Sequence, residues 1–388
     1  MKRIHRSALP ILFVLSVALT ACTTASISNV QNTSEVELLL DEQSKVPQFA
    51  RATNVRQFEF PEDHGPHFEY QTEWWYYTGN LQTEDGRRFG YQFTIFRRGL
   101  APGVPPDEGL STNQIYFAHF ALTDVSAERH YYDERFSRGA SGLAGARSSP
   151  FSAWVEDWSV VSAAAGAEAV RITATVEGIE LDLNLTAIKP IVKHGNQGLD
   201  PKSDEPGNAS YYLSYTRMQT DGELLVEGQS FDVNGLSWFD HEWSTSVLGE
   251  NAVGWDWFGL QLDDGRELML YYVRLADGTI DPVSGGTYVD SDGRTINLSS
   301  SEVKIEALGT WVSEESGAEY PSGWEISLPT LDIEIIVEPV IDAQEMRVSF
   351  TYWEGAVLIS GEQADAILSG SGYVELTGYL ESMEGVLS

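Results

Sequence analysis

Repeated Asp-Gly turns between short apolar runs constrain the fold of this chain more than any other feature. Each of these turns lies between runs that are rich in aromatic and β-branched residues. The dipeptides are Asp85-Gly86, Asp221-Gly222, Asp264-Gly265, Asp277-Gly278 and Asp292-Gly293. Because Asp-Gly tolerates positive φ, it favours a tight hairpin when strands flank it. The pattern therefore predicts an all-β fold of antiparallel strands.

One hairpin sequence occurs twice. Residues Leu81–Arg87 (LQTEDGR) match Leu260–Arg266 (LQLDDGR), and Asp85 and Asp264 lie 179 residues apart. An aromatic cluster precedes each copy and a strand ending in Arg follows it. A domain-sized spacing of this kind predicts a tandem duplication of barrel-like sheets, which close to avoid free edges. A length of 388 residues also suits two domains.

The charge excludes one class of partner. The chain carries a formal net charge of −34, and 42% of its residues are hydrophobic. Such a composition is typical of a globular protein, and the scarcity of clustered Lys and Arg excludes nucleic acid as a partner.

The first 22 residues predict export. A basic start is followed by a short apolar run and then by Leu19-Thr-Ala-Cys22, which resembles the lipobox of bacterial lipoproteins. Cys22 is the only cysteine in the chain and is the predicted lipidation site. By resemblance to proteobacterial lipoproteins, Thr23 after the cysteine implies the periplasmic face of the outer membrane. Residues 23–55 predict a flexible tether. An ordinary cleaved signal peptide is the alternative.

Several longer motifs resemble one family. They are Phe60-Pro-Glu-Asp-His-Gly65, Tyr70-Gln-Thr-Glu-Trp-Trp-Tyr-Tyr-Thr-Gly-Asn80, Phe117-Ala-His-Phe-Ala-Leu-Thr-Asp124, Ser237-Trp-Phe-Asp-His-Glu-Trp243, Gly254-Trp-Asp-Trp257 and Tyr352-Trp-Glu-Gly355. From about Phe58 to Leu380 the chain resembles the AttH/CrtC family, which includes carotenoid 1,2-hydratase (hydroxyneurosporene synthase). The resemblance implies two tandem lipocalin-like β-barrels, here at residues 56–236 and 237–388. It also implies an ABC-type export system as a partner.

The segment Asp240-His241-Glu242-Trp243 predicts the catalytic groups. On a strand, Asp240 and Glu242 face one way while His241 and Trp243 face the other. A His beside an indole in an apolar cavity has a perturbed pKa and can donate or accept a proton. A barrel-rim His bonded to a neighbouring carboxylate is the alternative.

Aromatic residues and two polar groups are the predicted ligand contacts. They are Trp74, Trp75, Trp243, Trp255 and Trp257, together with His119 and Glu73. His119 lies on a strand among apolar residues, where it is either a ligand contact or a buried structural hydrogen-bonding group. Glu73 interrupts an aromatic run and needs a partner, which Arg97 or Arg138 can supply.

No cofactor or metal is assigned. His64, His67 and a nearby carboxylate could hold a metal ion, but their spacing matches no strong zinc signature. The sequence has no Gly-x-Ser-x-Gly elbow, phosphate loop or dinucleotide fingerprint.

Two functions remain open. The first is a lipid-anchored protein that binds a hydrophobic small molecule, such as a lipid or isoprenoid, in an aromatic-lined barrel. The second is a cofactor-independent enzyme similar to carotenoid 1,2-hydratase, or a secreted hydrolase, that acts on an isoprenoid. Carotenoid hydratases of the family place an acidic residue on the strand that follows the His-Glu-Trp segment. The matching strand here, Glu267–Arg274, has no central Asp, which favours binding.

Overall fold

The computed structural model describes residues 48–105, 111–245, 248–249, 251–364 and 366–383. The predicted signal peptide, the predicted lipidation site Cys22 and most of the predicted tether lie outside the described residues. In the described part of the chain the regular structure is β, apart from two single-turn 3₁₀ helices, Glu62–His64 and Ser300–Glu302. Among these residues no helix is both long and apolar enough to cross a membrane.

The first sheet contains thirteen antiparallel strands. They are β1 (Thr72–Gln82), β2 (Arg88–Gly99), β3 (Gln114–Asp124), β4 (Arg129–Arg138), β5 (Ala144–Ser148), β6 (Phe151–Val155), β7 (Trp158–Ser162), β8 (Ala169–Val176), β9 (Ile179–Ala187), β10 (Val192–Lys193), β11 (Leu199–Pro201), β12 (Ala209–Val226) and β13 (Gln229–Ser244). The sheet is curled so that its two ends approach each other. Trp158 of β7 packs against Phe120 of β3, and the Arg135 guanidinium of β4 lies over the Trp158 ring.

The second sheet contains ten strands, and a separate ribbon contains two more. In chain order they are β14 (Ala252–Leu262), β15 (Glu267–Leu275), β16 (Gly285–Val289), β17 (Thr295–Ser299), β18 (Lys304–Ala307), the ribbon β19 (Thr310–Val312) and β20 (Glu319–Pro321), and then β21 (Trp324–Leu328), β22 (Ile333–Pro339), β23 (Glu345–Arg347), β24 (Thr351–Gln363) and β25 (Ala366–Leu376). This sheet encloses its own apolar core, which includes Phe258, Trp324 and Trp353.

The two sheets share a strand order. The first runs β4-β3-β2-β1-β13-β12, and the second runs β17-β16-β15-β14-β25-β24. In each sheet the first four strands of the unit lie side by side in reverse order. The strand that is last in the chain pairs with the first one, and the penultimate strand pairs with the last. The two LQxxDGR segments form equivalent hairpins, β1–β2 and β14–β15. The all-β prediction with two tandem antiparallel units is confirmed.

The two units meet through their outer faces. Strand β13 continues through the predicted domain boundary at 236/237, so the first sheet ends only at Ser244. The buried Glu267 of β15 is held by Lys189 and Arg217 of the first unit, at 2.8 and 2.5 Å. From β14, Gln261 donates to the backbone oxygens of Thr216 and Ser237. These bonds fix the relative position of the sheets and so define the space between them.

Candidate functional site

An aromatic cleft lies between the outer faces of the two sheets. It contains about 790 Å³ of empty space, part of it open to solvent. The first unit contributes Trp74, Tyr76, Phe96, Lys202, Tyr212, Asp240 and Glu242; the second contributes Trp255, Trp257, Tyr271, Val273, Glu354 and Glu375; Leu248 comes from the connection between them. An apolar cavity with a few convergent polar groups is the usual form of a small-molecule site.

The alternation of side chains along β1 and β13 determines which residues form the cleft wall on the side of the first sheet. Strand β1 pairs with β13 so that Tyr76 lies opposite Asp240 and Trp74 lies opposite Glu242. Successive side chains alternate between the faces of a strand, so these four residues share the outer face. Trp75 is buried in the core of the first sheet. The interior of that sheet is filled by packed side chains, and the cleft lies outside the barrel in which the sequence analysis expected the ligand.

Asp240 is the polar centre of the cleft. Its carboxylate accepts hydrogen bonds from Tyr212 Oη at 2.6 Å, Trp238 Nε1 at 2.6 Å and Ser214 Oγ. Trp257 Nε1 in turn donates to Tyr212 Oη at 3.0 Å. Burial raises the pKa of Asp240 to about 7, because the three donors offset the loss of hydration only in part. The group can therefore both give and take a proton near neutral pH.

Glu242 lies beside the one lysine of the cleft lining. Lys202 Nζ is 2.8 Å from Glu242 and 2.9 Å from Asp200. Burial lowers the pKa of Lys202, but the two carboxylates outweigh it and the net shift is upward, so the ammonium stays charged. Burial raises the pKa of Glu242, and the positive charge of Lys202 opposes that rise. Lys202 also lies over the rings of Tyr212 and Tyr271, where the aromatic faces favour the cation.

Two further carboxyl groups line the opposite wall. Glu354 of β24 pairs directly with Glu375 of β25, and Tyr76 Oη donates to Glu354 at 2.9 Å across the cleft. Burial raises the pKa of Glu375 to about 8, and the nearby Asp240 and Glu242 add to the shift. Burial and the charge of Glu375 raise the pKa of Glu354 well above its usual range. Two like charges on opposed residues of neighbouring strands are unfavourable, so this wall favours neutral acids.

A chain of hydrogen bonds leads from Asp240 into the second unit. His194 Nε2 lies 2.7 Å from Ser214 Oγ, and its Nδ1 lies 2.9 Å from Thr287 Oγ1. Since Ser214 donates to Asp240, His194 donates through Nε2 and accepts from Thr287 at Nδ1. Burial, with a smaller effect of Lys202, lowers the pKa of His194 to about 3, so the ring is neutral. The sequence analysis assigned no role to His194.

His241 lies on the other face of β13, inside the first sheet. Its Nε2 is 2.9 Å from Glu73 Oε1, and His67 Nδ1 reaches the same oxygen at 2.8 Å. Arg97 Nε donates to the second oxygen of Glu73 at 2.8 Å. The charge of Arg97 and the bonds from both histidines overcome the effect of burial and hold the pKa of Glu73 well below its usual range. Of the two predicted partners of Glu73, Arg97 is the one that forms the ion pair.

The cluster around Glu73 has the spacing of a metal site, and its carboxylate is fully hydrogen-bonded, whereas the buried Nδ1 of His241 has no partner among the described residues. The ligand atoms of His67, Glu73 and His241 all lie within 4.8 Å of one another. His67 Nε2 is also 2.9 Å from Asp63, so both ring nitrogens donate to carboxylates. Burial lowers the pKa of His67, but the two carboxylates outweigh it and the net shift is upward. A protonated His67 and Arg97 balance the charges of Asp63 and Glu73, which makes the cluster structural.

The structure separates the predicted site residues into three places. The cleft holds Asp240, Glu242, Trp74, Trp255 and Trp257. The interior of the first barrel and its mouth hold His241, Trp243, Trp75 and Glu73, where the indole of Trp243 stacks on His67 at 3.8 Å. The third place, a contact between the outer faces, holds His119.

His119 is buried against the second unit. Its Nε2 lies 3.0 Å from Glu134, and its Nδ1 lies 2.7 Å from Tyr352 Oη. Burial lowers its pKa against the opposing effect of Glu134. A neutral ring that donates to Glu134 and accepts from Tyr352 has both nitrogens satisfied. This matches the structural hydrogen-bonding role that the sequence analysis kept open.

The sequence analysis missed nine residues of the cleft lining. They are Tyr76, Phe96, Lys202, Tyr212, Leu248, Tyr271, Val273, Glu354 and Glu375. A signal existed for Glu354, since it interrupts the aromatic motif Tyr352-Trp-Glu-Gly355 in the way that Glu73 interrupts its own. Most of the others lie in ordinary strand or loop sequence and are brought together only by the packing of the two sheets.

The sequence profile of the AttH-like family matches residues 51–379. The chain belongs to the AttH-like family. Solved structures agree with the family: a protein from Nitrosomonas europaea described as an AttH is 30% identical, with a TM-score of 0.78 over 86% of this chain and 100% of that one. A comparison with curated protein sequences gave no significant match.

Two more distant structures share the fold of this AttH-like protein. Kievitone hydratase from Nectria haematococca is 14% identical, with a TM-score of 0.65 over 87% of this chain and 99% of its own. CghA with Sch210972 is 11% identical, with a TM-score of 0.52 over 87% and 96% of the two chains. At these identities the likeness shows the lipocalin-like fold alone.

Proposed function

We propose that this AttH-like protein is a cofactor-independent acid–base enzyme of the hydratase class, which acts on an apolar small molecule bound in the cleft between the sheets. The observation that carries the proposal is the position of Asp240. It is buried among aromatic side chains and bonded only to neutral donors, with a pKa of about 7.

The cleft supplies what acid-initiated addition to a double bond requires. Glu375, with a pKa of about 8, is a neutral acid at pH 7, and Asp240 is divided between its two protonation states. General acid–base catalysis is most efficient when the pKa of the group lies near the working pH. The indole and phenol faces of Trp255, Trp257 and Tyr271 stabilise positive charge that develops on a carbon atom.

The proposed reaction adds water across a C=C bond. A protonated carboxyl gives its proton to one carbon, and the oxygen of a water molecule bonds to the other carbon. The proton lost by that water passes to a carboxylate of the cleft. One π bond is lost, a C–H and a C–O bond form, and no oxidant or reductant is needed.

The name of one structural neighbour supports this reaction class. Kievitone hydratase shares the fold at 14% identity, and its name states that it is a hydratase. We carry over only the type of reaction, with an isoprenoid or polyene as the proposed substrate. The strand Glu267–Leu275 has no central Asp. In our proposal Asp240 of β13, Glu354 of β24 and Glu375 of β25 supply the acidic groups instead.

A receptor that binds without turnover is the second candidate. The aromatic lining of the cleft favours it, because its seven Trp, Tyr and Phe side chains would suffice to hold an apolar ligand. In this proposal the chain is lipid-anchored through Cys22 at the periplasmic face of the outer membrane, and it presents its ligand to an ABC-type exporter.

Turnover in heavy water separates the two candidates. The full chain is incubated in D₂O with a panel of isoprenoids and polyenes, and the products are analysed by mass spectrometry. The enzyme proposal predicts molecules that gain one water or exchange carbon-bound hydrogen for deuterium. Saturable quenching of tryptophan fluorescence with no mass change would instead support the receptor.

The matched variants are Asp240→Asn and Asp182→Asn. Both replace a carboxylate by its amide, but Asp182 lies in an exposed ion pair with Arg171. We expect Asp240→Asn to lower turnover by about 10²- to 10⁴-fold while ligand binding persists, and Asp182→Asn to retain full turnover. Equal turnover in both variants would contradict the role of Asp240.

A further inference from the structure

The fixed charges of the cleft do not balance. Its lysine, Lys202, is already bonded to two carboxylates, Asp200 and Glu242. Both oxygen contacts are shorter than 3 Å, so the ammonium has no surplus charge to offer to a ligand. Any anion that entered the cleft would have to approach this pair without a free cationic group.

Three other acids face the cleft without a cation. Asp240 is bonded to neutral hydroxyl and indole donors, and Glu354 to the phenol of Tyr76. Glu375 lies next to the Trp255 indole and opposite Glu354. Among the described residues, no Lys, Arg or His forms an ion pair with any of these three carboxyls. Buried carboxylates are normally paired with a cation, so these acids either stay neutral or await a charge from elsewhere.

The walls of the cleft suit a cation as well. Trp74, Tyr76, Trp255, Trp257 and Tyr271 line the cleft together with the acids. The negative face of an aromatic ring attracts ammonium groups, and alkylated ammonium ions are commonly bound in cages of such rings. The Lys202 ammonium already lies over two of the rings, at 5.2 and 5.4 Å. The cleft thus combines the two features that recognise an organic cation.

We infer that the cleft selects small molecules that carry a positive charge on an apolar body, of the alkylammonium type, over neutral and anionic molecules of the same shape. The inference rests on the proposed use of this cleft as the ligand site, and it adds a positive charge to the isoprenoid or polyene body proposed for the substrate. The cationic head lies between Asp240 and the Glu354–Glu375 pair, and its charge lowers the pKa of these carboxyls so that they ionise when it binds. The apolar body lies against the indoles. Fatty acids and other carboxylates are excluded, because they would meet three carboxyls and no free cation.

Three ligands with one chain length test the selection. Octyltrimethylammonium, octanol and octanoate are titrated into the full chain at pH 7.5, and binding is followed by quenching of tryptophan fluorescence. We expect the ammonium ligand to bind at least about tenfold more tightly than octanol, and octanoate to bind most weakly. Octanol or octanoate binding as tightly as the ammonium ligand would overturn the inference. The proposed reaction on a neutral substrate would survive that result.

A pair of variants locates the selecting groups. In the double variant E354Q/E375Q the preference for the ammonium ligand over octanol should fall below about threefold. Asp182→Asn, which removes an exposed negative charge outside the cleft, should keep the full preference. An unchanged preference in E354Q/E375Q would overturn the inference. Because the comparison of ligands uses the unaltered protein, it decides the question even if the double variant folds poorly.

Discussion

Two buried carboxyl groups of this protein show that the hydrogen-bonding partners of a carboxyl group determine its protonation state. Glu73 and Asp240 are both almost fully buried. Glu73 faces Arg97, and its pKa is held well below the usual range, whereas Asp240 faces only neutral donors and its pKa rises to about 7. A full positive charge outweighs desolvation, but hydrogen bonds from hydroxyl and indole groups offset it only in part. Glu73 is therefore structural, and Asp240 is suited to chemistry.

The hydroxyl of Tyr212 is predicted to lower the pKa of Asp240. In Tyr212→Phe one of the three donors to the carboxylate is lost, so the ionised form is less stable and the pKa of Asp240 should rise by about one unit above its value in the unaltered protein. Infrared titration of the carboxyl group measures the shift, with Tyr131→Phe as a control on an outer strand. A pKa that stays constant or falls would contradict the account of this site.

Arg97 is predicted to be essential for stability. Arg97→Met leaves the Glu73 carboxylate buried without its cation, which should lower the free energy of unfolding by about 3–5 kcal/mol. Arg171→Met breaks an exposed pair with Asp182 and should change it by at most about 1 kcal/mol. Urea unfolding at pH 7.5 compares the two variants, and similar losses in both would contradict the structural role of the buried cluster.

Some of these residues could be predicted from sequence and others could not. Glu73 could, because a lone carboxylate in an aromatic run needs a partner, and Arg97 was one of two proposed. Glu375 could not, since nothing in the strand sequence around it shows that its outer face meets another sheet. The pKa of such a group depends on desolvation by residues that are far away in the chain.

At the scale of elements, the alternation along β13 carries the most information. It predicts that Asp240 and Glu242 face away from His241 and Trp243, and the structure has the same division. The alternation does not reveal that the Asp240 side is the outer face of a barrel. Both faces of β13 are rich in aromatic residues, so hydrophobicity alone does not distinguish the barrel core from the contact between barrels.

Gly90 is predicted to set the spacing of the sheets. A Cβ atom at Gly90 of β2 would lie only 2.4 Å from Ala356 Cβ of β24. Gly90→Ala should therefore force the outer faces apart and destabilise the protein by about 1–3 kcal/mol, with weaker ligand binding. The double variant Gly90→Ala/Ala356→Gly moves the methyl group across the contact and should restore most of the loss. A thermal unfolding series that shows no restoration would contradict this close approach.

At the scale of the molecule, two units of the same strand order are joined by buried polar contacts. Lys189 and Arg217 reach across to Glu267, so the charges that hold the units together lie outside the aromatic cleft. The repeated hairpin predicted the duplication, because its sequence recurs at a domain-sized spacing. The mode of association could not be predicted, since it depends on pairs such as Arg217–Glu267 that belong to no local motif.

Two buried histidines are predicted to oppose folding in acid. Burial lowers the pKa of both His64 and His194 to about 3 in the folded state, whereas an unfolded histidine titrates near 6.5. Between these values each of the two histidines binds a proton more readily in the unfolded chain. Its contribution to the free energy of unfolding therefore falls as the pH drops below about 6.5, by up to about 1.4 kcal/mol per pH unit. His67, whose pKa is raised, acts in the opposite direction and stabilises the fold below about 6.5.

The variant His194→Gln measures how much one of these histidines contributes to the pH dependence of the free energy of unfolding. Its free energy of unfolding, measured in urea at pH 7, 6 and 5, should fall with acid less steeply than that of the unaltered protein. The difference in slope should approach the value for one proton, about 1.4 kcal/mol per pH unit. Parallel pH profiles of the two proteins would contradict a neutral, buried His194.

The central claim is that the cleft holds carboxyl groups that change protonation near neutral pH. Infrared spectroscopy of the unliganded protein tests it without any knowledge of the substrate, since a protonated carboxyl has a C=O band that the carboxylate lacks. We predict bands that persist at pH 6 and titrate with pKa values near 7 and 8, the first absent from Asp240→Asn and the second from Glu375→Gln. A spectrum in which no carboxyl remains protonated at pH 6 would contradict the account.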